Sequence, residues 1–487
     1  MMDEDARARE RALEPKCSFA VRAPAGSGKT TLLIRRVLKL LTTVEHPEQI
    51  VAITFTRKAA EEMRSRIVEA LALAGNPVLQ DEFERATAEL AYAVLKHDQE
   101  RDWGLMQQPG RLRIMTIDAL CQSLVRQMPV TARFTGAPAV EDDASELYRE
   151  AARLALAEVA GGAGSRHHTA VLLAHVDNDW RRLESLVATM LSRREQWLPL
   201  LQVGSEKAFL QQAFDRVVIE ELNGLRASLD DVAVREWVGL ARYAGENGSD
   251  GLSDFKTLPT AEPVNVVLWQ AMIDLLLTAQ GEWRKQVTKK NGFPTGSDAA
   301  KAKKAAWVDF VAALRERDGL LERLQAVRRL PPVMYGEWEW RIIAALVGLL
   351  RSAAAQLMVL TEASGRTDFS AISIAALQAL GAPEEPTDLA LHLDFQIHHL
   401  LIDEFQDTSG IQFELLLGLT GGWTPGDGRT LFLVGDPMQS IYRFRQAEVE
   451  LFNRVLRDGR VGQVAVEQLT LTKNFRSQPK IMDWVNE

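Results

Sequence analysis

Cysteine is nearly absent from this chain: Cys17 and Cys121 are the two in 487 residues. Neither belongs to a CxxC pair, which excludes a disulfide framework or a zinc ribbon and points to ordinary half-buried thiols in a reducing compartment. An apolar leader is also missing. MMDEDARARERALEP is charged throughout and has no hydrophobic stretch of the secretory kind. Long hydrophobic runs are lacking as well. The most apolar segment, around residues 346–350, is bounded by Arg341 and Arg351, so no transmembrane helix, no membrane partner and a cytoplasmic location are expected. Excess positive charge is absent, the formal net charge being -9, so bulk attraction for nucleic acid is excluded while local basic patches are not. Histidine gives no metal-ligand spacing, because His167-His168 and His398-His399 stand as isolated pairs.

What is present is globular. The chain is 46% hydrophobic and 25% charged, enough for sizeable cores and, by length, roughly two to four domains. Near its start stands SFAVRAPAGSGKTTLLIRRVLKLL. Ser18–Val21 is expected to form a short strand, and the apolar spacing of Leu32, Leu33, Val37 and Leu40 predicts a helix. Between them Ala25, Gly26, Ser27, Gly28, Lys29, Thr30 and Thr31 make a glycine-rich turn. Strand, turn and helix in this order form a phosphate cradle: backbone amides converge on phosphate oxygens and the helix N-terminus adds positive charge. Lys29 can bridge outer phosphates and the Thr30 hydroxyl can hold Mg²⁺. The first position of the usual GxxxxGK[ST] pattern is Ala23 rather than glycine.

Far downstream, HHLLIDEFQDTS ends an apolar strand in Asp403 and Glu404. Alone, such acids mark many strand ends. Beside a phosphate cradle they acquire a function: Asp403 can hold the metal and Glu404 can take a proton from an attacking water. Three further stretches stand out, ITFTRKAAEEMRSRI (53–67), MTIDALCQSL (115–124) and TLFLVGDPMQSIYRFRQAE (430–448), followed by LTLTKNFRSQPKI (469–481).

In their order and spelling, APAGSGKT, TFTRKAAEEM, LIDEFQDTS, VGDPMQSIYRFR and NFRS resemble superfamily 1 helicases of the UvrD/RecB/AddA type, especially the branch of AddA and the exonuclease V β-subunit. The resemblance covers about the first and last quarters of the chain. It implies an α/β fold: a RecA-like P-loop parallel sheet with helices on both faces, plus a large, mostly α-helical inserted domain. It implies residues 1–130 as the first part of ATPase domain 1A, 131–365 as helical insertion 1B, 366–470 as the rest of 1A, and 471–487 as the start of domain 2A. The expectation is an N-terminal portion lacking the family's later motifs and any nuclease domain, with weak hydrolysis in isolation.

The same resemblance assigns roles. ATP and Mg²⁺ are the cofactors; Lys29, Asp403, Glu404, Gln439 and Arg476 are catalytic, with Thr30 and Asp403 on the metal. Gln439 would sense the γ-phosphate, Arg476 would be an arginine finger, and Phe475 would stack on adenine. Phe55 and Phe444 would stack bases of single-stranded DNA, with Lys58, Thr116, Tyr442 and Arg445 beside the same track. The implied activity is ATP-dependent 3′–5′ DNA unwinding or translocation in double-strand-break processing, on single strands and strand junctions, within a heteromeric helicase–nuclease. The alternative is a non-hydrolysing DNA-binding scaffold that uses the P-loop as a nucleotide switch. This sequence departs from relatives in having no glutamine upstream of the P-loop, where Arg7, Arg9 and Arg11 occur, and in carrying Asp118 where a histidine is frequent.

The middle of the chain shows helical spacing without a repeat. Its basic stretch, residues 282–307 with Lys289 and Lys290, suits phosphate contacts or a solvated surface. Trp180, Trp197, Trp237, Trp269 and Trp307 are expected in cores.

Overall fold

The computed structural model describes residues 4–74, 82–127, 139–141, 143–158, 163–203, 207–249, 252, 257–317, 319–331, 335–382, 385–440 and 449–475. Packing divides the chain into two units. One comprises residues 1–157, 181–199 and 352–487, the other 158–180 and 200–351.

The first unit is built on a sheet of six parallel strands: β1 (Phe19–Arg22), β2 (Ile50–Thr54), β3 (Arg113–Thr116), β4 (His399–Ile402), β5 (Thr430–Gly435) and β6 (Glu467–Thr470). Their spatial order is β6-β1-β5-β4-β2-β3. β1 starts one residue later than its sequence suggests, because the Ser18 hydroxyl accepts from the Leu431 amide at 2.9 Å instead of continuing the ladder. Both faces are covered, as an all-parallel sheet requires. Ala20, Val51, Ile53, Leu400, Ile402, Leu431 and Leu433 point to a layer made by helices Ile117–Gln127, Phe369–Leu380, Asp388–Gln396, Gly410–Thr420 and Val449–Asp458. Their strand neighbours Phe19, Val21, Ile50, Ala52, Ile114, Leu401, Phe432 and Val434 point the other way, onto helices Lys29–Leu41, Arg57–Ala72 and Glu82–Arg101. This two-residue alternation divides one run of apolar strands between two cores. The fold is thus the RecA-like α/β sheet expected, with β3 and β4 separated in sequence by the long helical segment.

The second unit is helical and has its own core around Trp237, Trp269, Trp307, Phe293 and Phe310. It is narrower than residues 131–365, since 131–157, 181–199 and 352–365 group with the sheet unit. Trp180 departs from its expected core position: it is 39% exposed at the start of its helix. The apolar segment flanked by Arg341 and Arg351 is helical, as its spacing predicts. It forms a 28-residue helix, Glu337–Ser364, long and apolar enough by composition to cross a membrane. Arginine is a good helix former, so neither residue interrupts it. Arg351 donates to the Leu201 carbonyl at 2.7 Å. Ala345, Leu349, Ala353 and Leu357 form a buried stripe at helical spacing along it.

Candidate functional site

Parallel strands bring all their carboxyl ends to one edge, where ligands of such sheets bind. The glycine-rich turn follows β1 at this edge. Ala23 is fully buried and its amide donates to Gly435 O at 2.9 Å, so a residue with a small side chain satisfies the first position of the loop. Gly26 and Gly28 have φ of 78° and 79°, the left-handed region that glycine enters without strain. Gly28 caps the helix Lys29–Leu41, whose free amides face the loop. The buried Ser27 hydroxyl has no hydrogen-bond partner among the described residues, as expected of a group shaped for a phosphate oxygen. Ala25 is exposed on the turn, and Thr30 and Thr31 are half-buried in the first helical turn.

The acidic strand end meets this cradle. Lys29 Nζ lies 2.8 Å from Glu404 Oε2, joining residues far apart in sequence. Glu404 has φ 51°, a left-handed conformation costly for a side chain with a Cβ and typical of functional sites. Asp403 ends β4: its amide continues the ladder to Ile53 O at 2.9 Å, and its carboxylate accepts the Glu404 amide at 3.0 Å. Burial, then repulsion from Glu404, pushes Asp403 up to about 7, against partial relief from Lys29. Burial likewise raises Asp407 to about 6, although the Ser440 hydroxyl donates to it at 2.9 Å.

Thr30 and Asp403 are hard oxygen donors, a set that suits Mg²⁺. Among the described residues no group of three or more His, Cys, Asp or Glu side chains could by itself hold a metal ion. That too fits Mg²⁺ in a nucleotide site, which uses one or two protein ligands together with phosphates and water.

A second cluster adjoins the loop. Phe475 donates its amide to Gly26 O at 2.8 Å, and its ring, 64% exposed, lies 5.0 Å from the Arg9 guanidinium. Arg9 is held by Asp5 at 2.6 Å and donates to Ser27 O at 2.6 Å; Asp5 also accepts the Thr472 and Lys473 amides. Thus an arginine from the first helix, rather than a glutamine, backs the aromatic ring beside the P-loop.

Other expected site residues are placed as follows. Gln439 donates to the Asp436 carboxylate just beyond β5. Phe55 follows β2 and is half-buried, and Lys58 is exposed one turn later. Thr116, assigned to DNA contact, is only 6% exposed and its hydroxyl accepts the Ala119 amide at 3.1 Å. It caps the helix Ile117–Gln127, a contact that uses one lone pair of the oxygen and not its O–H proton. Lys289 and Lys290 are exposed on a short turn of the helical unit. Tyr442, Phe444, Arg445 and Arg476 lie outside the described residues.

Sequence reasoning passed over Gln406 and Arg36, and noted Arg9 without its partners Asp5 and Phe475. Arg36 is buried and donates to the Ala12, Glu14 and Cys17 carbonyls, tying the link between the first helix and β1 to the helix Lys29–Leu41; burial lowers it to about 10. A charged residue within an apolar helical stripe was the available signal.

The chain matches the model of the UvrD/REP helicase N-terminal domain over residues 4–459. It is also similar to proteins named as subunits of an ATP-dependent helicase/nuclease. The one from Anoxybacillus flavithermus is 27% identical over 96% of this chain and 38% of the relative. For Geobacillus thermodenitrificans the figures are 27%, 96% and 37%, and for Desulfitobacterium hafniense 27%, 98% and 35%. The chain therefore spans little more than a third of the length of these relatives. With that match extending across both the phosphate loop and the acidic strand end, the chain belongs to the UvrD/REP helicase family.

Proposed function

We propose that this chain binds ATP with Mg²⁺ and works as the motor portion of an ATP-dependent 3′–5′ DNA helicase or translocase in break processing and repair. The observation that supports the reading most is the 2.8 Å approach of Lys29 to Glu404 at one strand edge, where a cation for the phosphates and a base for the water would stand together. Family membership and the similarity to helicase/nuclease subunits support DNA as substrate, a cytoplasmic location and a heteromeric partner.

In this reading Lys29, the loop amides and the Ser27 hydroxyl grip the phosphates, while Phe475, backed by Arg9, offers a face for the base. Thr30 and Asp403 hold Mg²⁺, which when bound supplies charge that offsets the phosphates. One ammonium cannot fully serve both Glu404 and a phosphate. A triphosphate that takes Lys29 leaves Glu404 free to accept the proton of an attacking water. Gln439 reports the phosphate to the DNA track, and Arg476 neutralises developing charge. Phe55 and Lys58, with Tyr442, Phe444 and Arg445 on motif grounds, line the single strand; Lys289 and Lys290 meet duplex phosphates. The segments 1–130 and 366–470 serve as domain 1A, 131–365 as 1B, and 471–487 as the entry to 2A.

Calorimetry with Mg·ATP and single-turnover hydrolysis with and without single-stranded DNA test this. Lys29→Ala should lose nucleotide binding at least about tenfold, and Glu404→Gln should bind ATP but lower turnover about 10²-fold or more. Wild-type protein that takes up no nucleotide sinks the reading. If it binds nucleotide and DNA without hydrolysis, a nucleotide-switched scaffold replaces the motor.

A further inference from the structure

Gln406 is a buried polar side chain, 1% exposed, with no part in the mechanism so far. Its carboxamide is committed at both ends. Nε2 donates to Glu404 Oε2 at 2.9 Å and, more weakly, to Asp407 Oδ2 at 3.5 Å, and Oε1 accepts the amide of Asp436 at 2.9 Å. The first contact is to the acid at the tip of β4. The second is to the main chain just past the tip of β5, beside Gln439. The two contacts fix which end of the amide is which.

Gly435 shows how closely the amide is fitted. A Cβ there would lie 2.4 Å from Gln406 Oε1, 3.0 Å from Phe452 Cε1 and 3.2 Å from Phe405 N. The φ of Gly435 is not among the positive ones, so its glycine is required by space, not by backbone conformation. Glu404 itself sits in the left-handed region, and Gln406 ties its carboxylate, through one side chain, to the neighbouring strand end.

We propose that Gln406 is a positioning residue: it holds the Glu404 carboxylate in register with the β5 tip, so that the base is aimed by the main chain of Asp436. This rests on Glu404 being the base. A misplacement of about 1 Å is worth on the order of 10²-fold in rate.

The test uses the 487-residue chain, Mg·ATP and single-stranded DNA. Gln406→Leu should lower single-turnover hydrolysis about 10²-fold while ATP affinity stays within about threefold of wild type. Gly435→Ala, which pushes the amide aside from the opposite direction, should reproduce that split. Gln406→Glu gives a readout that mere packing would not move. Ionised, it repels Glu404 and cannot donate. Protonated, it donates and accepts as the carboxamide does, so its rate relative to wild type should climb as pH falls from 8.5 to 6, roughly the range a buried carboxyl reaches. Gln406→Leu should show no such climb.

If wild type hydrolyses ATP and Gln406→Leu stays within threefold of it, or Gln406→Glu tracks wild type at every pH, the inference is overturned alone. Loss of ATP affinity in Gln406→Leu overturns it too, making the residue scaffold. Wild type that binds ATP without hydrolysing it removes Glu404 as base, and the inference falls with that reading.

Discussion

Two aspartates of the sheet unit, the buried Asp368 and the half-buried Asp403, live under opposite conditions. Asp368 caps the helix Phe369–Leu380 through the Ala371 amide at 2.9 Å. It also takes both ends of the buried Arg194 guanidinium, one at 2.6 Å, and the Tyr148 hydroxyl. Burial alone would raise its pKa; the charge and hydrogen bonds of Arg194 more than offset that and hold it below the usual carboxylate value. Asp403 has the Glu404 amide, a neighbouring acid and a cation already paired with that acid. Its pKa goes up to about 7. The protein thus completes its charges where it only needs to be held together, and leaves them incomplete at the edge where nucleotide and metal are proposed to bind.

The largest test of this contrast is at Asp368. Replacing it by alanine strands the Arg194 charge in a buried site and removes a helix cap. Breaking a buried pair in this way costs about 3–5 kcal/mol, measured by urea unfolding. Nucleotide affinity of the protein that remains folded should not change. A loss below about 1 kcal/mol would place this pair with exposed ion pairs and end the contrast.

Asp403→Asn should act in the other direction. With its folded pKa raised from 3.8 to about 7, the carboxyl's contribution is fully present below 3.8 and is lost as pH rises through 7. Wild type and the asparagine variant should therefore match near pH 4. Between pH 4 and 7 the variant should gain, levelling off at about 1–2 kcal/mol at pH 8, allowing for relaxation around the site. Melting temperature across that range measures it. Excess Mg·ATP should stabilise wild type and not the variant. A variant no more stable than wild type at pH 8 would mean that the local cations already satisfy Asp403.

The same contrast explains what could be recognised before the fold was known. The sheet announced itself because IVAIT and TLFLVG bury both faces and so contain unbroken apolar runs. The phosphate loop was legible because Gly26, Gly28 and Lys29 are local in sequence, and its backbone conformation follows from glycine. Asp403 and Glu404 stood out as acids abruptly ending an apolar strand. Gln406 did not, because its importance is made by Asp436 and by a missing Cβ at Gly435, neither of which is local to it. The pairing of Arg9 escaped for a similar reason: its ring partner is Phe475, at the opposite end of the chain. The helix through Arg341 and Arg351 was legible from its apolar spacing, because charges that interrupt an apolar run leave a helix intact when they sit beside a carbonyl or solvent.

Thr116 gives the smallest and sharpest case, since motif order assigns it to DNA and its hydroxyl oxygen already accepts a helix-capping amide. It ends β3 beside Thr54 of β2, at the ligand edge, yet its oxygen accepts the Ala119 amide at 3.1 Å. If the cap is its work, Thr116→Ala costs about 1 kcal/mol of stability, as loss of a threonine cap does, and Thr116→Ser restores most of it. Affinity for a fluorescent single-stranded oligonucleotide should then be the same in wild type and both variants, at any salt concentration, because no phosphate contact has been removed. A fall in DNA affinity with stability intact would return Thr116 to the DNA track. It would also show that a hydroxyl paired within the fold can be released to a ligand, and the division between completed and uncompleted polar groups at this edge would then fail where it is easiest to measure.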